Sequence, residues 1–85
     1  MVSKVRKRNG KLVPYRQIKI TNAIKKAFIA TKTADKGGIV LLSKQVKKIL
    51  DKKFKREIPS VEDIQDTTEE VLLNNNFLNV LRAYV

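Results

Sequence analysis

The sequence predicts an α+β fold, with an N-terminal β-hairpin lid packed on a small four-helix bundle. Three observations carry this. Asn9-Gly10 sits between two short runs suited to strands. Apolar residues recur at helical spacing in four later segments. Gly37-Gly38, Pro59 and Asn74-Asn75-Asn76 punctuate the chain between those segments. The length, 85 residues, allows one domain over 1–85.

Residues 2–15 form the hairpin. Asn-Gly suits a two-residue type I′ turn, whose two central residues both need positive φ. That register pairs Arg8 with Lys11, Lys7 with Leu12, Arg6 with Val13 and Val5 with Pro14. Pro14 lacks an N–H, so it belongs on an edge or at a strand end. A lone hairpin is marginal in water, so this one must pack on something.

The first helix spans 17–31, with Ile20, Ile24, Ala27 and Phe28 as its apolar stripe and Lys19, Asn22 and Lys26 as a polar row beside it. A loop over 32–38 follows. The second helix starts somewhere in 39–43 and runs to about 56, with Ser43 a candidate N-cap. Leu42, Val46, Ile49, Leu50 and Phe54 face inward, and seven Lys and Arg residues between 44 and 56 cover the other side. Pro59 interrupts. Ser60 with Asp63 three residues on is a capping-box-like start for a third helix over 61–73, with Ile64, Thr68, Val71 and Leu72 inward. The fourth helix begins near Phe77 with Leu78, Leu81 and Val85 inward. The chain stops inside this apolar pattern, with no cap, glycine or polar tail. The expectation is a fragment of a longer protein or a degenerate copy of such a domain.

Composition excludes much chemistry. With no Cys and no His there is no disulfide, thiolate metal site, imidazole base or imidazole zinc ligand. No Walker-type phosphate loop is present. The expectation is therefore no catalytic residue, no metal site and no enzyme activity in this chain. No signal peptide or spanning segment is visible, which points to the cytoplasm and away from membranes. The net charge of +11 points to an anionic partner. It is unevenly spread: residues 1–56 hold 18 basic and 2 acidic groups, and residues 57–85 hold 1 basic and 6 acidic. Part of the positive charge is thus internal complementarity.

The run Val5-Arg6-Lys7-Arg8-Asn9-Gly10 sets three cations at a hairpin tip, and the return strand leads to Lys19-Ile20 at a helix start. Cations beside a helix N-terminus suit a polyphosphate, because backbone N–H groups and the helix dipole add to the side-chain charge. On composition alone a solvated basic hairpin is the competing reading.

The order Lys7-Arg8-Asn9-Gly10, Pro14-Tyr15 and Lys19-Ile20-Thr21-Asn22-Ala23-Ile24, then Ile58 to Asp66, then Val80 to Val85, resembles the ATP-cone, and the likeness covers almost the whole chain. ATP-cones are regulatory domains, found mostly at the N-terminus of ribonucleotide reductases and also in the repressor of their genes. The resemblance implies allosteric binding of ATP or dATP, with Mg as an accompanying ion, an attached catalytic domain and oligomerisation through the cone. It also implies that Val5 and Ile20 flank the base, that Lys7 and Arg8 reach the phosphates, that Lys19 meets the nucleotide, and that Val61 and Gln65 line the pocket. Arg16 departs from the family's usual Asp or Asn at the first N-cap, which loses a cap. The basic residues that usually follow the Ala-Tyr-Val segment are absent. Two rival readings stay open: a basic nucleic-acid-binding module built on the second helix, and a degenerate, ligand-free interaction domain.

Overall fold

The computed structural model describes all 85 residues. Strands β1 (Lys4–Arg6) and β2 (Leu12–Pro14) form an antiparallel hairpin, followed by helices α1 (Gln17–Ala30), α2 (Gly38–Lys53), α3 (Val61–Asn74) and α4 (Leu78–Tyr84). Each helix packs on two others, α1 on α2 and α4, and α3 on α2 and α4, which closes a ring around one core. The expected α+β fold is thus the observed one.

Ile20, Ile24, Ala27 and Phe28 are the buried residues of α1, as the spacing requires. They meet Leu42, Val46 and Leu50 of α2, Val71 and Leu72 of α3, and Val80 of α4. Full burial of one such side chain contributes about 1.5–3 kcal/mol. Phe28 and Phe77 hold α1 against the start of α4, with ring centroids 5.4 Å apart. Both α1 and α3 end in Schellman turns. Lys32 and Asn76 adopt positive φ (51° and 64°), and the N–H groups of Thr33 and Phe77 each reach back to the carbonyl five residues earlier, at 2.9 Å.

The Ser60–Asp63 capping box is present in both directions. Asp63 N donates to Ser60 Oγ (3.0 Å), and Ser60 N donates to Asp63 Oδ2 (2.8 Å). The start of α2 differs from expectation. Ser43 is not its N-cap but a buried mid-helix residue. Gly37, at φ 83°, precedes the helix, and Asp35 Oδ1 accepts from Ile39 N at 3.1 Å. A carboxylate four residues upstream thus satisfies one of the N–H groups that the first turn leaves without an intrahelical partner.

Two further expectations are corrected. The hairpin register is shifted by one residue: Lys4 pairs with Pro14, Val5 with Val13 and Arg6 with Leu12. Only Gly10 has positive φ at the tip (86°). Gly10 N bonds Lys7 O (2.9 Å) and Lys7 N bonds Lys11 O (2.8 Å), so the loop has three residues, Arg8-Asn9-Gly10, and not two. The slip matters because it changes which β2 side chains share a face with Val5. Val13 faces inward with Val5, and Leu12 is left 45% exposed. In α4, Val80, Leu81 and Tyr84 turn toward the core, whereas Leu78 and Val85 are exposed. The helix begins after Phe77, and its short length lets the junction with α1 set its rotation.

The hairpin is tied to the bundle at three places. Arg6 N donates to Pro59 O (2.9 Å), and Arg6 bridges Ser60 in parallel fashion. Val2 N donates to Asp51 Oδ1 (2.8 Å), and Asp51 also takes Lys47 Nζ (2.7 Å). The Lys47 ammonium and the Val2 N–H hold the Asp51 carboxyl below its usual range. Finally, Tyr15 Oη donates to Gln17 Oε1. Gln17 Nε2 donates in turn to Ser43 O (2.8 Å) and Oγ (2.6 Å), with Thr21 Oγ1 2.6 Å from that same hydroxyl.

Candidate functional site

The hairpin, the first turns of α1 and the start of α3 enclose a cleft of about 290 Å³. β1 supplies Val5 and Lys7, and β2 supplies Val13 and Pro14. Tyr15, Arg16, Lys19, Ile20 and Ala23 come from the entry and first turns of α1. Val61, Ile64 and Gln65 come from α3, and Tyr84 of α4 completes the lining. Val5 and Ile20 are buried at its base, and Lys7, Arg16, Lys19 and Gln65 are exposed around it.

Of the seven expected site residues, six line this one cleft: Val5, Lys7, Lys19, Ile20, Val61 and Gln65. Arg8 lies beyond its mouth. It borders an adjoining hollow with Asn9 that shares Lys7, Val61 and Gln65 with the main cleft. Its guanidinium is engaged: Arg8 Nε donates to Glu62 Oε1 at 2.7 Å. Glu62 is held below the usual carboxylate range first by its own backbone N–H at the α3 N-terminus, then by Arg8.

The sequence reading did not include Val13, Pro14, Tyr15, Arg16, Ala23, Ile64 or Tyr84 among the lining residues. Val13 was hidden by the wrong register. Ile64, three residues after Val61 on α3, had a usable signal in helical periodicity, and so did Ala23, three after Ile20 on α1. Tyr84 comes from the opposite end of the chain and carries no local signal. Burial raises its hydroxyl pKa, and burial with the nearby Asp51 charge pushes Tyr15 up to about 12. Both phenols are therefore neutral at pH 7. Arg16 precedes α1 without a side-chain capping bond, as its identity requires. Its side chain lines the cleft and adds a third cation there.

The chemistry of this cleft is one-sided. Lys7, Arg16 and Lys19 line it, no carboxylate does, and none of the three is in a salt bridge. Two helix N-termini, of α1 and α3, border it and add positive potential. Between the cations lies an apolar slot closed by Val5, Val13, Ile20 and Val61. An anionic tail with a flat apolar head matches this arrangement. No carboxylate in the lining offers a ligand to a divalent ion.

The hairpin thus caps a helical ring, and the slot beneath it is apolar and rimmed by cations and helix N-termini. The family model described as "ATP cone domain" matches residues 3–85, and the chain belongs to that family. It is 38% identical over 91 residues to the vitamin B12-dependent ribonucleoside-diphosphate reductase of Thermoplasma acidophilum. That match takes in all of this chain but only 11% of the reductase, so the chain corresponds to a small part of its relative. The cone is a regulatory and not a catalytic unit, and no helix here is long and apolar enough to cross a membrane.

Proposed function

We propose that this chain is the adenine-nucleotide sensor of a ribonucleotide reductase, taking up ATP or dATP in the hairpin cleft and so setting the activity or oligomeric state of an attached catalytic domain. The observation that carries this is the convergence of Lys7, Arg16 and Lys19, free of carboxylates, around the slot formed by Val5, Ile20 and Val61. In this reading Val5 and Ile20 flank the base. Lys7 and Lys19 take phosphate oxygens, with Arg8 reaching them from the tip, and Gln65 offers an amide at the rim. Mg²⁺ enters on the phosphates. Such a sensor acts allosterically only if the nucleotide binds the two states of the attached domain with different affinity. The cytoplasm, where nucleotides and reductases meet, is the compartment that fits.

Calorimetry with ATP and dATP tests the site. Lys7→Gln and Lys19→Gln should each weaken binding roughly ten- to a hundred-fold, since a hydrogen bond to a charged group is worth about 1.5–3 kcal/mol. The double variant should lose less than the sum, because both lysines hold one ligand. Absence of binding at millimolar nucleotide would leave the degenerate, ligand-free cone as the reading.

One observation favours the rival reading of a nucleic-acid-binding module. Lys44, Lys48 and Lys52 form an exposed row on α2, and none of them is ion-paired. That row suits nucleic-acid phosphates, and such binding would be steeply salt-dependent.

A further inference from the structure

The ion pair between Arg8 and Glu62 joins the hairpin tip to the first turn of α3, and Arg8 borders the hollow that adjoins the cleft. Its two ends are not equivalent. Glu62 is the end carried on a helix: it sits in the first turn of α3, where the helix dipole favours a negative charge. Arg8 is the movable end: it sits in the three-residue loop, and its side chain is 76% exposed. The hollow beside it shares Lys7, Val61 and Gln65 with the main cleft. An anionic tail running out past Lys7 therefore arrives at a guanidinium already committed to a carboxylate.

We propose that Glu62 is an internal competitor for the phosphate tail: it holds Arg8 while the cleft is empty, so that a nucleotide must exchange this carboxylate for its own outermost phosphate. This rests on the nucleotide reading of the cleft. The consequence is discrimination by tail length. A nucleoside monophosphate reaches the cations inside the cleft and leaves the pair intact, whereas a triphosphate extends to Arg8 and must displace Glu62. Glu62 thus lowers affinity for the longest tail and leaves the shorter ones almost untouched. The arrangement gives the hairpin two alternative partners on α3, the Glu62 carboxylate when empty and a shared phosphate when filled.

The test is calorimetry on the 85-residue chain with ATP, ADP and AMP, for wild type, Glu62→Gln, Arg8→Gln and the double variant, with thermal melts to confirm folding. Glu62→Gln should tighten ATP about two- to five-fold, the scale of an exposed ion pair. The gain should shrink to less than two-fold for AMP and vanish in the Arg8→Gln background. Nitrogen-15 spectra give a second readout. The Arg8 Nε–H signal should shift when Glu62 is changed, and should shift again on adding ATP but not AMP. If Glu62→Gln leaves ATP affinity unchanged while wild type binds, the competition is wrong and the site stands. If the gain persists without Arg8, Glu62 acts by direct repulsion and the exchange is wrong. If neither wild type nor Glu62→Gln binds any of the three nucleotides, the reading of the cleft itself falls, and the proposal with it.

Discussion

Gln17→Met removes the amide that links the hairpin to α2 and keeps nearly the same side-chain length. Three hydrogen bonds disappear: the acceptor for Tyr15 Oη, and the two donations to Ser43 O and Oγ. A typical intramolecular hydrogen bond contributes a net 0.5–1.5 kcal/mol or so. The loss is limited on two sides. Ser43 Oγ keeps Thr21 at 2.6 Å, so the buried hydroxyl is not orphaned. Tyr15 is only partly buried, so water can reach its hydroxyl. The expected cost is therefore about 2 kcal/mol, not the full sum for three bonds. For a domain of this size each kcal/mol lowers Tm by roughly 4–8 °C, which places the drop at about 8–16 °C. Thermal melting followed by circular dichroism measures it directly. Tyr15→Phe, which removes one of the three bonds, should cost less, and the two changes together should be less than additive. A Gln17→Met protein melting within about 2 °C of wild type would refute the reasoning, and would mean the link is no better than hydration of its separate parts.

Other consequences are sharper in direction than in size. Because the folded Asp51 carboxyl is depressed from 3.8, its contribution is present above that pH and is lost as pH falls through the folded value. Wild type should therefore weaken below about pH 4 more steeply than Asp51→Asn, which should itself cost about 0.5–1 kcal/mol at neutral pH; acid titration of Tm for both proteins checks this. The observed hairpin register makes Leu12→Lys nearly silent, within about 0.5 kcal/mol. Val13→Lys should destabilise the fold or block nucleotide uptake, and the opposite ranking in melts and calorimetry would restore the two-residue turn. Changing Lys44, Lys48 and Lys52 together to Ser should abolish any salt-sensitive nucleic-acid binding and leave ATP affinity within about two-fold; loss of ATP binding in a folded triple variant would displace the site from the hairpin cleft.

Much of this protein was legible because its signals are local. The α1 stripe of Ile20, Ile24, Ala27 and Phe28 repeats on a fixed helical period. Ser60 and Asp63 cap α3 from three residues apart, and a proline just ahead of Ser60 clears the helix start. Charge and composition excluded thiol and imidazole chemistry before any fold was known. Six of the seven expected site residues came together in one cleft, although Val5 and Val61 are far apart in the chain. The motifs, taken in order, carried that expectation, since no single period or spacing contains it.

What tertiary structure alone decided depends on distant partners. Asn9-Gly10 suits more than one turn, and both registers satisfy the local chain. The observed one places Val5 and Val13 on the same inward face and allows Arg6 N to bond Pro59 O, a partner no hairpin rule sees. Ser43 reads as an N-cap because serines usually cap helices. It is instead drawn inside because Gln17 and Thr21, on another helix, satisfy its hydroxyl. The face of α4 follows from contacts with α1 and α3 over barely two turns, too short for its own periodicity to fix its rotation. The family resemblance implies that Arg8 reaches phosphate, yet in the folded molecule it lies against Glu62. Two oppositely charged groups 54 residues apart in the chain find each other only after the hairpin has docked on α3.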